Sequence, residues 1–129
     1  MAESQARLQS LSEEFTQLQQ ELQAAIQSRQ KLEAQKQENT NVQKEFERLK
    51  DGENIYKLVG PVLLKQDKVE AESTVNGRLE FISKELERTE GQIKEFQDKV
   101  EKKKGEIIQI QAGLQAAGGG APGKVAAKG

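Results

Sequence analysis

The feature that most limits what this chain can fold into lies near its middle, Ile55-Tyr56-Lys57-Leu58-Val59-Gly60-Pro61-Val62-Leu63-Leu64-Lys65. Ile55 to Val59 and Val62 to Gln66 are β-favouring runs separated by two residues, Gly60-Pro61. A two-residue hairpin of type II′ takes glycine at its first central position. Proline fits the second, because its fixed φ is near the required value and no N–H is needed there. Ile55, Lys57 and Val59 share one face, and Tyr56 and Leu58 the other, so both faces carry apolar groups. A two-stranded hairpin is marginal in water, and its open edges invite other strands. The rest of the chain offers no third β-element to cover it.

On either side the pattern is helical. From about Ser4 to Lys50, Leu8, Leu11, Phe15, Leu18, Leu22, Ala25 and Leu32 fall on alternating steps of three and four, the spacing of a coiled-coil seam. Arg29 is the polar member of that series. Lys36 and Asn39 weaken it, and Val42, Phe46 and Leu49 resume it. Leu32 and Val42 are ten residues apart, three out of step with strict heptads, a discontinuity that locally overwinds a supercoil. Asp51-Gly52 supplies the stop and turn.

The second helical stretch runs from about Val69 to Gln115. Its seam is Val75, Leu79, Ile82, Leu86, Thr89, Ile93, Phe96, Val100, Lys103, Ile107, Ile110 and Leu114, with no break in the alternation. Asp67 with Glu70 reads as a capping-box start. Gly77, Gly91 and Gly105 lie inside this stretch, each costing up to about 1 kcal/mol relative to alanine. Asn76-Gly77 is also a hairpin dipeptide, which leaves strand-turn-strand open for 68–78. Glu70, Ala71 and Glu72 favour helix there.

Two stretches of roughly 45 residues, each about 70 Å long as a helix, joined by a reversing hairpin, give a mainly α fold. The expected architecture is a long antiparallel two-helix coiled coil joined by a central β-hairpin. The expected segments are an N-terminal helix at 4–50, the hairpin segment at 51–67, a C-terminal helix at 68–115 and a flexible Gly/Ala-rich tail at 116–129. Folded-back pairing sets Leu8 near Leu114 and Phe15 near Ile107, with Arg29, Lys36 and Thr89 in a polar layer midway.

Function is narrowed mostly by exclusion. The chain has no cysteine and no histidine, so no disulfide, thiolate or imidazole chemistry is open to it. Its acids, such as Glu85, Glu87 and Glu90, lie on solvated helix faces. Gly118-Gly119-Gly120 precedes no helix and so forms no phosphate loop. No catalytic group, metal site or cofactor site emerges. A net charge of −1 with mixed signs argues against nucleic acid and against a membrane surface. The Lys102-Lys103-Lys104 run has Glu101 and Glu106 beside it and reads as a solvated face. The first residues hold no apolar signal core, and no run approaches the length of a membrane helix. A soluble, cytoplasmic protein is expected.

Two surfaces remain. A connector between antiparallel helices usually takes two to five residues; one of about a dozen, many of them apolar, is explained if other subunits pair with it. At the far end, Leu8, Leu11 and Phe15 stand opposite Ile107, Ile110 and Leu114. Ordinary seam packing accounts for them, but fraying ends also offer apolar side chains to an unfolded chain.

The block from Ile55 to Asp67, with Arg78-Leu79-Glu80-Phe81-Ile82, resembles the β-class subunits of prefoldin, over nearly the whole chain from Leu8 to Leu114. The resemblance implies a heterohexamer of two α-class and four β-class subunits whose hairpins join into a double β-barrel platform. It implies that coiled-coil tips hold non-native proteins, chiefly actin and tubulin, and pass them to the cytosolic group II chaperonin without ATP. Carried over by position, Ile55, Tyr56, Leu58, Val59, Gly60, Pro61, Val62, Leu63 and Leu64 would build the barrel. Leu8, Leu11, Phe15, Ile107, Ile110 and Leu114 would meet clients. The alternative is a structural coiled-coil adaptor or tether without chaperone activity.

Overall fold

A computed structural model describes residues 2–117. The order is α1 (Ala2–Arg48), β1 (Ile55–Val59), β2 (Val62–Gln66) and α2 (Lys68–Ala117). The stretch 68–78 is therefore helical, and α2 runs on through Ala116 and Ala117 before the rest of the expected tail, 118–129, which lies outside the described residues. The chain divides into two compact units. One joins the described residues up to Ile26 to those from Gln92 onward; the other is the continuous stretch Gln27–Gly91, which contains the hairpin.

In the first unit every expected seam position of α1 is buried or half-buried, with Ser4, Glu21 and Ile26 half-buried beside them. Leu11 and Ala25 are buried, and Leu8, Phe15, Leu18 and Leu22 are half-buried. From α2, Ile93 is buried, and Phe96, Val100, Lys103, Ile107, Ile110 and Leu114 are half-buried. Glu14 and Lys103 meet across the two helices at 2.6 Å.

In the second unit Ala71, Val75, Ile82, Leu86 and Thr89 of α2 are buried, so the seam extends one step further toward the hairpin than Val75. The helices there run antiparallel: Arg29 pairs with Glu90 at 3.7 Å, and the Gln43 amide donates to Asn76 Oδ1 at 2.7 Å. Thr89 is only 3% exposed, yet among the described residues no buried side-chain nitrogen or oxygen lacks a hydrogen-bond partner.

One expectation fails in this unit. Val42 is not a seam residue; it is 40% exposed. Asn39, Gln43 and Phe46 are half-buried in its place, and they continue the three-four alternation from Leu32 without a slip. There is no heptad discontinuity. The mistake follows from choosing the apolar neighbour: Gln43 belongs to the seam because its amide bonds Asn76 across the helix pair, a contact no hydropathy pattern can show.

Helix α1 ends one turn before the hairpin. Gly52 adopts φ +90°, a conformation that suits glycine. In the turn beside it the Glu53 N–H donates to the Lys50 carbonyl at 3.1 Å. The Lys50 N–H in turn donates to the Glu53 carboxylate at 2.7 Å. At the other side Asp67 occupies the N-cap position of α2, its carbonyl accepting the first intrahelical bond from Ala71 N–H at 3.0 Å.

Candidate assembly and client surfaces

The hairpin has the register that its two-residue loop requires. Ile55 pairs with Gln66, Tyr56 with Lys65, Lys57 with Leu64, Leu58 with Leu63, and Val59 with Val62. Gly60 has φ +58°. With proline following, which excludes a second positive φ, the turn is type II′. Pairing across the strands sorts the side chains into two faces. Ile55, Val59, Val62 and Leu64 share one with Lys57 and Gln66; Tyr56, Leu58 and Leu63 share the other with Lys65.

Both faces are open. Leu58 is 68% exposed and Leu63 63%, with Tyr56, Val59, Val62 and Leu64 each about half exposed. Only the cross-strand pair Ile55 and Gln66 is half-buried. Monomeric proteins scatter single apolar residues on their surfaces, whereas a contiguous patch marks an interaction site. Six adjacent exposed apolar side chains on two strands make such a patch, and the strands' outer edges add unpaired backbone groups.

The six residues assigned to client contact all lie in the first unit and are drawn together in its seam. Leu11 is 5% exposed, and the other five are half-buried. The exposed apolar side chain of that stretch is Ile108, 54% exposed, one position off the seam. The three-four spacing takes Ile107 and leaves Ile108 on the outer face; the Ile107-Ile108 doublet was the signal in the sequence. Phe81 and Val69 of the second unit are likewise strongly exposed and unassigned by the seam.

The electrostatics of the first unit centre on Lys103. Its hydrogen bond to the Glu14 carboxylate raises the ammonium pKa above the ordinary lysine range. Partial desolvation and nearby Arg7 oppose the rise, and the charges of Glu14 and Glu106 add to it. Lys103 is thus a seam residue with a partner, rather than one more member of a solvated lysine run. In the second unit Arg88 and Glu85 pair at 2.8 Å one turn apart on α2, and this hydrogen bond lowers the Glu85 pKa and raises that of Arg88.

A central exposed hairpin between two long helices is the architecture that the comparisons with known proteins meet. Residues 9–113 match the family model described as Prefoldin subunit. The chain belongs to the prefoldin subunit family. It is 44% identical to prefoldin subunit 6 of Bos taurus, over 93% of this chain and 95% of that protein. It is 42% identical to prefoldin subunit 6 of Saccharomyces cerevisiae, over 85% and 96%. Among solved structures, the prefoldin beta subunit from Thermococcus strain KS-1 superposes with a TM-score of 0.72 at 28% identity, covering 84% of this chain and 92% of that one. The prefoldin fold class read from the hairpin block is therefore the fold observed, and membership of this non-enzymatic chaperone family implies assembly with other prefoldin subunits. No described helix is long and apolar enough to cross a membrane.

Proposed function

We propose that this chain is one β-class subunit of a cytoplasmic, ATP-independent hexameric chaperone with two α-class and four β-class subunits. It captures non-native actin and tubulin and passes them to the cytosolic group II chaperonin. The observation that carries the reading is the hairpin: formed in register, apolar on both faces and uncovered by its own unit. Such a surface needs strands from other subunits, and family membership supplies them.

Client capture rests on the first unit, where Ile108 lies exposed beside the seam residues Ile107 and Ile110. Single apolar contacts of this kind are weak. Several linked subunits raise the avidity by orders of magnitude when they engage one client together. The test is suppression of aggregation of denatured actin by the complete complex. Ile108→Ser, alone and combined with Leu8→Ser, Ile110→Ser and Leu114→Ser, is expected to shorten client retention while the complex stays assembled. Undiminished protection by the assembled multiple variant would remove the tip from the mechanism. Equal retention of native and denatured forms of one protein would favour the adaptor instead.

A further inference from the structure

Asn76-Gly77 is a turn dipeptide by sequence, yet it lies within α2, and both residues are exposed. Ser73, Thr74, Val75, Asn76 and Gly77 follow one another there, all of them poorer helix formers than alanine. Thr74 Oγ1 donates back to the Glu70 carbonyl at 3.0 Å, a bond that slightly weakens a helix. Tertiary contacts hold the stretch helical. Ala71 and Val75 are buried, and from α1 the Gln43 amide donates to Asn76 Oδ1 at 2.7 Å.

An asparagine followed by glycine carries a reaction of its own. The backbone nitrogen of Gly77 attacks Asn76 Cγ. A C–N bond forms, the Cγ–Nδ2 bond breaks, and ammonia leaves with the proton of the attacking nitrogen. The five-membered imide then takes up one water. It opens to aspartate, or to isoaspartate, in which the main chain runs through Cγ. The net change is loss of ammonia and gain of water, with nothing oxidised or reduced. Glycine suits the attack because no Cβ screens its nitrogen, and nothing lies within 4 Å of where a Cβ would stand.

The fold opposes this step twice. In an α-helix the Gly77 N–H bonds the Ser73 carbonyl. Ring closure needs that bond broken and the ψ of Asn76 turned away from the helical value of about −42°. The Gln43 bond also ties the Asn76 side chain to α1, which keeps Cγ from swinging onto the main chain.

We propose that Asn76 is a self-modification site guarded by the seam between α1 and α2, with the Gln43 hydrogen bond as its latch. The reaction then runs chiefly in subunits whose seam has opened locally beside the hairpin. The isoaspartate product adds an atom to the backbone, so a converted chain cannot re-form regular helical turns between Val75 and Leu79. Time spent open is thereby recorded covalently, which neither strand pairing nor client capture requires.

The test incubates the full chain at neutral pH, once in the complete complex and once unfolded in guanidinium chloride. The tryptic peptide 69–78 is followed by mass spectrometry for exchange of amide for acid and for isoaspartate; Asp51-Gly52 falls in a different peptide. Conversion is expected to run at least about tenfold faster in the unfolded chain, and Gly77→Ala should suppress it in both states. Gln43→Met removes the donor while keeping length and helix propensity. It should speed conversion in the complex about threefold or more, the worth of one net hydrogen bond, and change nothing in guanidinium. Arg29→Met, which breaks the Arg29–Glu90 pair of the same unit, controls for general loosening, with helical circular dichroism recorded for every variant. Equal wild-type rates in the two states would show that the fold guards nothing. A Gln43→Met rate equal to wild type, or matched by Arg29→Met, would overturn the latch. An Asn76 that stays unconverted in guanidinium would end the proposal.

Discussion

At residue scale, three polar side chains at seam positions meet partners on the facing helix. Gln43 bonds Asn76, Arg29 pairs with Glu90, and Lys103 binds Glu14. Polar seam residues reduce stability but select register, since any shift leaves them unpartnered. The Lys103 pair makes a pH prediction. A lysine whose folded pKa is raised contributes stability that is fully present below its unfolded value, about 10.4. That contribution is lost as pH rises through the higher folded value. Between pH 7 and 10 the pair is intact. Above that the wild type should lose more thermal stability than Lys103→Met, measured as the difference between the two melting curves by circular dichroism; parallel curves up to pH 12 would show that the hydrogen bond contributes nothing. The partly exposed side chain, 28% accessible, keeps the effect small.

At element scale, glycine has opposite meanings in the hairpin and in α2. Gly60 sits at φ +58°, where an alanine is strained by about 1–2 kcal/mol. Gly91 and Gly105 have helical backbone, and nothing lies within 4 Å of an added Cβ. Gly91→Ala and Gly105→Ala should therefore each stabilise the chain by up to about 1 kcal/mol in urea denaturation. Gly60→Ala should weaken the hairpin by a similar amount and lower the yield of assembled complex. Identical effects at all three positions would contradict the turn assignment. The hairpin was fully legible in advance, strands and loop alike, because a two-residue loop permits one register and Gly-Pro permits one turn type. The α1 seam was legible as far as Leu32. Beyond it, the apolar Val42 outweighed the polar Gln43, since hydropathy marks which residues avoid water and not which amides have found each other.

At the scale of the whole molecule, the chain is an incomplete folding unit, with more exposed apolar surface on ten strand residues than they can cover among themselves. Polar replacements at Ile55, Leu58 and Leu63 should leave helical content intact and abolish hexamer formation. Native mass spectrometry showing hexamers from the triple variant would exclude the barrel role. The solvent-facing apolar side chains of the first unit were less legible than the hairpin. Periodicity selects residues that face the partner helix, so it named Leu11, which is buried, and passed over Ile108, which is not. Which apolar side chains the seam leaves in solvent is known only when the seam is placed.

The sequence by itself determined the element order, the hairpin register and the family, because each depends on local spacing: three-four alternation, two β-favouring runs, and Gly60-Pro61 between them. Tertiary structure decided which face of α1 turns inward after Leu32, that Lys103 is paired, and that Phe81 and Ile108 remain in solvent. Those outcomes depend on partners far apart in the chain, such as Gln43 with Asn76 and Glu14 with Lys103. A pattern read one segment at a time does not contain them.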